Sequence, residues 1–70
     1  MAGVIRVPVR HVDHGIGVVI RLRDTDDGLL AFIIWGESEG VAGWHVAEDT
    51  KLEILDIAEW DALYARDGGK

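Results

Sequence analysis

Three histidines are the side chains of this 70-residue sequence best suited to holding a metal or moving a proton. His11 and His14 lie in VRHVDHGIG, residues 9–17, with Asp13 between them, and His45 lies in a later segment. Imidazole and carboxylate donors in this number suit zinc, which takes three or four protein ligands in tetrahedral geometry. Two histidines three apart converge on one face of a helix. In a strand they point to opposite faces, so a site built from His11, Asp13, His14 and His45 needs a turn. The surrounding residues read as strands. These histidines therefore read as loop side chains with solvent or backbone partners, and neither a metal nor another cofactor is expected.

Nucleophilic catalysis has little to draw on. There is no cysteine, and Ser38 is the only serine, set in the acidic stretch GESEG with no base beside it. GIG is too short for a phosphate-binding fingerprint. The acidic residues gather in turns, where solvation accounts for them. A domain of this size also has little room for a deep pocket. No catalytic residues are expected, and the chain reads as a non-enzyme.

Binding has stronger signals. Arg6, Arg10, Arg21 and Arg23 face only Asp13 as local acid within residues 1–23, whereas Lys51, Arg66 and Lys70 meet twelve acids in the remainder. If the first two strands pair, the four arginines share their outer face as a stripe able to hold phosphates or an acidic protein surface. The alternative is a solvated face paired with the chain's own carboxylates. A net charge of −6 weighs against general nucleic-acid binding, whose affinity comes largely from phosphate contacts. His11, His14, Trp35 and Trp44 are the other binding candidates, the tryptophans either as a binding surface or as core packed on Trp60.

The elements that must position these residues are short. Period-two alternation marks strands at VIRVPVR (4–10) and GVVIRLR (17–23), with Ile5, Val7, Val9, Val18, Ile20 and Leu22 inward. Pro8 cannot donate to a ladder and suggests an edge strand or a bulge. LLAFIIW (29–35) is apolar on both faces and needs cover on both. Its inner face is read as Leu30, Phe32 and Ile34. VAGWHVA (41–47) and LEIL (52–55) complete five strands, with Leu52 and Ile54 inward. DTDDG, GESEG and EDTK supply turns. Asp56 and Glu59 have capping-box spacing, and Ile57, Trp60 and Leu63 or Tyr64 form one stripe of a helix over about 57–66, ended by Gly68. DGGK at the end reads as frayed.

One domain of five short strands and a C-terminal helix suggests a small barrel, which removes most sheet edges. A chain of this length buries only about 60% of its unfolded surface, so its core is small. The apolar runs GIGVVI and LLAFIIWG are much shorter than the ~20 residues of a membrane span, and the start lacks a signal-peptide pattern. Without cysteines there is no disulfide framework. No membrane contact and a cytoplasmic location are expected.

Two segments carry a resemblance. Val9, His11, Gly15, Gly17 and Val19 match the V-x-H-x-x-x-G-x-G-x-V opening of the Tudor-like domain found at the C-terminus of UvrD-type helicases. HVAEDTKLEIL, residues 45–55, resembles the V-x-x-x-D-L-E turn and last strand of such barrels, with Thr50 and Lys51 intruding between Asp49 and Leu52. Together they cover about a third of the chain, which resembles an SH3-like barrel of the Tudor or KOW kind. Those helicase domains tend to be basic, and this chain is acidic. The resemblance implies a non-catalytic module that holds protein or nucleic acid, and Tudor-type domains also build aromatic cages for methylated cations. The expectation is a small adaptor with an unidentified protein partner. A nucleic-acid module using the arginine stripe is the alternative. A structural subunit of phage or plasmid origin is the third class, and a homo-oligomer is compatible with all three.

Overall fold

A computed structural model describes residues 5–36 and 41–67 of the chain. Five strands and one helix follow in the order β1 (Val7–His11), β2 (Gly15–Thr25), β3 (Gly28–Trp35), β4 (Ala42–Val46), β5 (Leu52–Ile54) and α1 (Ile57–Asp67). The strands make one antiparallel sheet in the order β4-β3-β2-β1-β5. The first four form a meander, and β5 returns to pair beside β1. No ladder joins β4 to β5, which are the two edges. No helix among the described residues is long and apolar enough to cross a membrane.

β1 is an interior strand despite Pro8. The pairing with β5 ends at Val9 opposite Ile54, and the Pro8 carbonyl accepts the Leu55 N–H at 2.9 Å just beyond it. The missing N–H of Pro8 thus falls where β5 has run out.

The core is Val7, Val9, Val19, Leu22, Ala31, Ile33, Trp35 and Leu63. This corrects the expected register of two strands. In β3 the buried side chains are Ala31, Ile33 and Trp35, while Phe32 is half-buried and Ile34 is 42% exposed. A strand apolar on both faces carries no alternation to fix which face turns inward. In β2 the inward residues are Val19 and then Leu22, three apart, while Val18 and Ile20 are only half-buried. A bulge between Val19 and Arg21 explains this, because the extra residue Ile20 reverses the strand's parity. Arg21 and Arg23 still face outward beyond it, as expected.

The helix begins as its sequence implies. Asp56 caps it, with its Oδ1 accepting the Glu59 N–H at 3.2 Å. Leu63 is fully buried and Trp60 packs against the core, but Ile57 is 60% exposed and Tyr64 42% exposed. The contact stripe is therefore narrower than expected, and it ends at Asp67. Far from fraying, Asp67 accepts the backbone N–H of Leu22 on Oδ2 at 2.9 Å, while Arg66 donates to the carbonyl of Ile20 at 3.2 Å. The β1–β2 ladder ends at Val7 opposite Val19, and beyond it the last turn of α1 takes these two backbone groups. Gly68, the expected terminator, lies outside the described residues.

The turn DTDDG is held by threonine rather than by its acids. Thr25 Oγ1 donates to the Gly28 carbonyl at 2.7 Å and accepts the Asp27 N–H at 3.2 Å. Gly28 has φ +124°, a conformation that favours glycine.

Candidate functional site

Two features stand out against this frame, one on each side of the sheet. Register places Pro8, Val18, Ile34 and Ala42 in one row across the outer face, with Arg21, Phe32 and Trp44 in the next and Arg23, Leu30 and Val46 in a third. The helix packs on the opposite side, against β1 and β2, and covers none of these rows. Ile34, Trp44 (44% exposed) and Val46 are open to solvent, and Trp44 meets Phe32 edge-to-face at 5.3 Å. A shallow groove here is lined by Arg6, Val18, Ile20 and Ile34. The helix was expected over the Ile33 and Trp35 face of β3, and Leu63 does join those residues in one core. Because that face is the core, the Phe32 and Ile34 side, expected to be the inner one, is left uncovered.

All four expected arginines are exposed. Arg10 pairs with Glu53 of the neighbouring strand at 2.6 Å. Arg6, Arg21 and Arg23 make no ion pair within 4 Å with a described residue, Arg21 acting only at longer range on the Asp67 carboxylate, and these three border the apolar rows. The two candidate tryptophans are divided. Trp35 is core, and Trp44 lies on the outer face, packed on Phe32 rather than on Trp60. Residues on opposite faces of one sheet cannot wall a single aromatic cage.

The second feature is a histidine cluster at the end of the inner face. His11 ends β1, His45 is inward on β4, and Asp49 lies in the turn between β4 and β5. Asp49 Oδ2 sits 3.0 Å from His11 Nε2 and 2.9 Å from His45 Nε2. The Asp13 N–H donates to His11 Nδ1 at 3.0 Å. That nitrogen must therefore offer a lone pair, which assigns the ring proton of His11 to Nε2, donated to Asp49. The Lys51 N–H, followed by the His45 and His11 side chains, holds the Asp49 carboxyl well below the usual carboxylate range, against a smaller opposing effect of burial. His14 stacks nearby, with its ring 4.6 Å from that of His11 and 4.8 Å from Trp35.

Of the four residues read as a possible donor set, the structure gathers His11, His14 and His45 but not the Asp13 carboxylate. That group is exposed and lies 3.7 Å from Lys51 Nζ. Asp49 stands in its place. The four-residue spacing of His45 and Asp49 was the available signal, but the separation of 38 positions between His11 and Asp49 hid the rest. The nucleophile candidate Ser38 lies outside the described residues.

The glycines of the opening segment serve this end of the sheet. Gly15 has φ +83° and closes the turn that carries His14. A Cβ on Gly17 would stand 2.7 Å from Trp35 Cε3 and 2.9 Å from Ile33 Cγ2, so Trp35 packs flush on the bare backbone.

Comparison with protein-family models, curated proteins and solved structures finds no match to this chain.

Proposed function

We propose that this chain is a small, non-catalytic protein-binding module that takes an acidic, apolar-containing peptide segment of its partner on the outer face of β2, β3 and β4. The observation that carries this reading is the uncovered apolar rows containing Val18, Phe32, Ile34 and Trp44, bordered by Arg6, Arg21 and Arg23. Exposed apolar surface of this kind on a single chain marks an interaction site. Aromatic and arginine side chains are those enriched at binding hot spots. The cationic border favours carboxylates in the ligand and speeds its encounter.

An SH3-like barrel of the Tudor or KOW kind is the architecture we assign to the module. Its support is the strand order, in which β5 pairs back on β1 and a single ladder, β4 to β5, is short of closure. The eleven-residue β2 carries a bulge of the kind that bends a strand, as closure of a barrel requires.

A second reading, single-stranded nucleic acid on the same face, draws on exposed Trp44 sharing a row with Arg21 across Phe32, since bases stack on exposed aromatics. The chain's overall negative charge makes it the weaker of the two. Selection of random peptides on the intact protein, alongside titration with mixed DNA and RNA oligonucleotides, separates them. Protein binding predicts a peptide consensus of apolar residues flanked by Asp or Glu, lost on Trp44→Ala. Salt-sensitive oligonucleotide binding with no peptide consensus would transfer the face to nucleic acid and overturn the proposal.

A further inference from the structure

We propose that His11, His45 and Asp49 form a binding site for one divalent transition-metal ion of the zinc class. The donor atoms already converge. Both Nε2 atoms lie against the same Asp49 Oδ2, and one donor atom from each residue lies within 4.8 Å of the other two. Zinc bonds of about 2.0–2.2 Å in tetrahedral geometry place neighbouring ligand atoms roughly 3.3 Å apart. To admit the ion the contacts of 3.0 and 2.9 Å open by a few tenths of an ångström, and the two imidazole nitrogens, in a donor set that spans up to 4.8 Å, draw together to that spacing. Two imidazoles and one carboxylate suit Zn2+, Co2+ or Ni2+ rather than Mg2+ or Ca2+, which prefer all-oxygen shells. His14, whose ring centroid is 6.1 Å from that of His45, is a further imidazole available for the fourth position.

The surroundings give the ion a structural role. His11 belongs to β1, His45 to the edge strand β4, and Asp49 to the turn leading into the other edge strand, β5. One ion would tie these elements where no backbone ladder joins β4 to β5. His11 is 4% exposed and braced edge-on against Trp35 at 5.7 Å, so one ligand is already fixed in place.

Loading has a definite proton consequence. A neutral imidazole that binds metal through Nε2 carries its proton on Nδ1. Each ring therefore keeps one proton and moves it from Nε2 to Nδ1. At His11 the new Nδ1–H would oppose the Asp13 N–H that now donates to that nitrogen. The Asp13 amide must then turn away, which its place in the exposed 12–14 turn permits. This change is a signature that a nonspecific surface site would not produce.

The test uses the full chain stripped with chelator and titrated with Co2+ and Zn2+. The expected results are one ion per chain, the visible absorption of four-coordinate cobalt, and a shift of the Asp13 amide resonance that saturates with it. Melting temperature should rise by on the order of 10 °C when free zinc is about a hundred times Kd. His45→Gln keeps a donor towards Asp49 and should bind more than about tenfold more weakly. Asp49→Asn supplies the same readout if His45→Gln fails to fold. Absence of stoichiometric binding by the native chain, or unchanged affinity in a folded variant, overturns the proposal.

Discussion

The backbone N–H of Leu22 donates to the Oδ2 of Asp67 at 2.9 Å, joining the bulge of β2 to the last turn of α1 across 45 residues. Leu22 is core, so its amide has no easy recourse to water once that carboxylate is gone. Asp67→Ala should cost about 1–3 kcal/mol, the range for stranding a buried donor. Asp67→Asn keeps an acceptor and should cost less. Urea midpoints of the two variants measure the difference, and equal midpoints for Asp67→Ala and the native chain would remove the helix from the account of the bulge. Cutting the chain after Leu55 deletes Trp60, Leu63 and both bulge partners together. Loss of cooperative folding or aggregation is expected, whereas unchanged melting would mean that the helix is free to dock elsewhere.

The register of β3 makes a second prediction. Ile33→Ala should cost about 2–5 kcal/mol, as a large-to-small change in a packed core. Ile34→Ala, one residue along, should cost under about 1 kcal/mol because its side chain is already half in water. Thermal melts of the pair decide which face is inward. The reverse ranking would restore the parity that the sequence suggests.

Gly17→Ala should destabilise the chain by about 1–3 kcal/mol through overpacking. The added methyl meets the rigid indole of Trp35, which is itself enclosed by core. Gly17→Ala combined with Trp35→Phe should cost less than the sum of the two single changes. Strict additivity in that double-mutant cycle would show that the glycine is not there for the indole.

Acid should weaken the fold through two carboxylates. Arg66, and to a smaller extent the Leu22 N–H, hold Asp67 below its ordinary value against the opposing effect of burial. Asp49 is held low by the Lys51 N–H and the two histidines. Each group has a lower pKa folded than unfolded, so the unfolded chain binds more protons as the pH falls through about 4. Their stabilisation is present above that pH and is lost progressively below it. Denaturation between pH 6 and 3 should show a falling midpoint, with a shallower fall in Asp67→Asn. A midpoint that holds to pH 3 would contradict the role given to these contacts.

The parts of the fold written in local pattern were legible. Alternation in VIRVPVR identified Val7 and Val9 as core, and Asp56 marked the helix start that Glu59 N–H confirms by bonding to it. The arginine face was also legible, because Arg21 and Arg23 lie beyond the bulge and keep a common parity. Ile20 was not, since nothing in VVIRL marks where a strand gains a residue. Phe32 and Ile33 are equally apolar, so their assignment to opposite faces came only with tertiary packing. Asp49 was hidden for a different reason. Its partner His11 is remote in sequence, and EDTK reads locally as a solvated turn.

The outer face is the centre of the functional proposal, and amide and indole chemical-shift mapping tests it most directly. The native chain would be titrated with a peptide recovered by selection, at low and high salt. Shifts are predicted at Val18, Phe32, Ile34 and the Trp44 indole N–H, with weaker affinity at high salt as the arginine border is screened. Shifts confined to α1 or to the histidine cluster, with Trp44 undisturbed, would contradict the assignment of this face as the binding site.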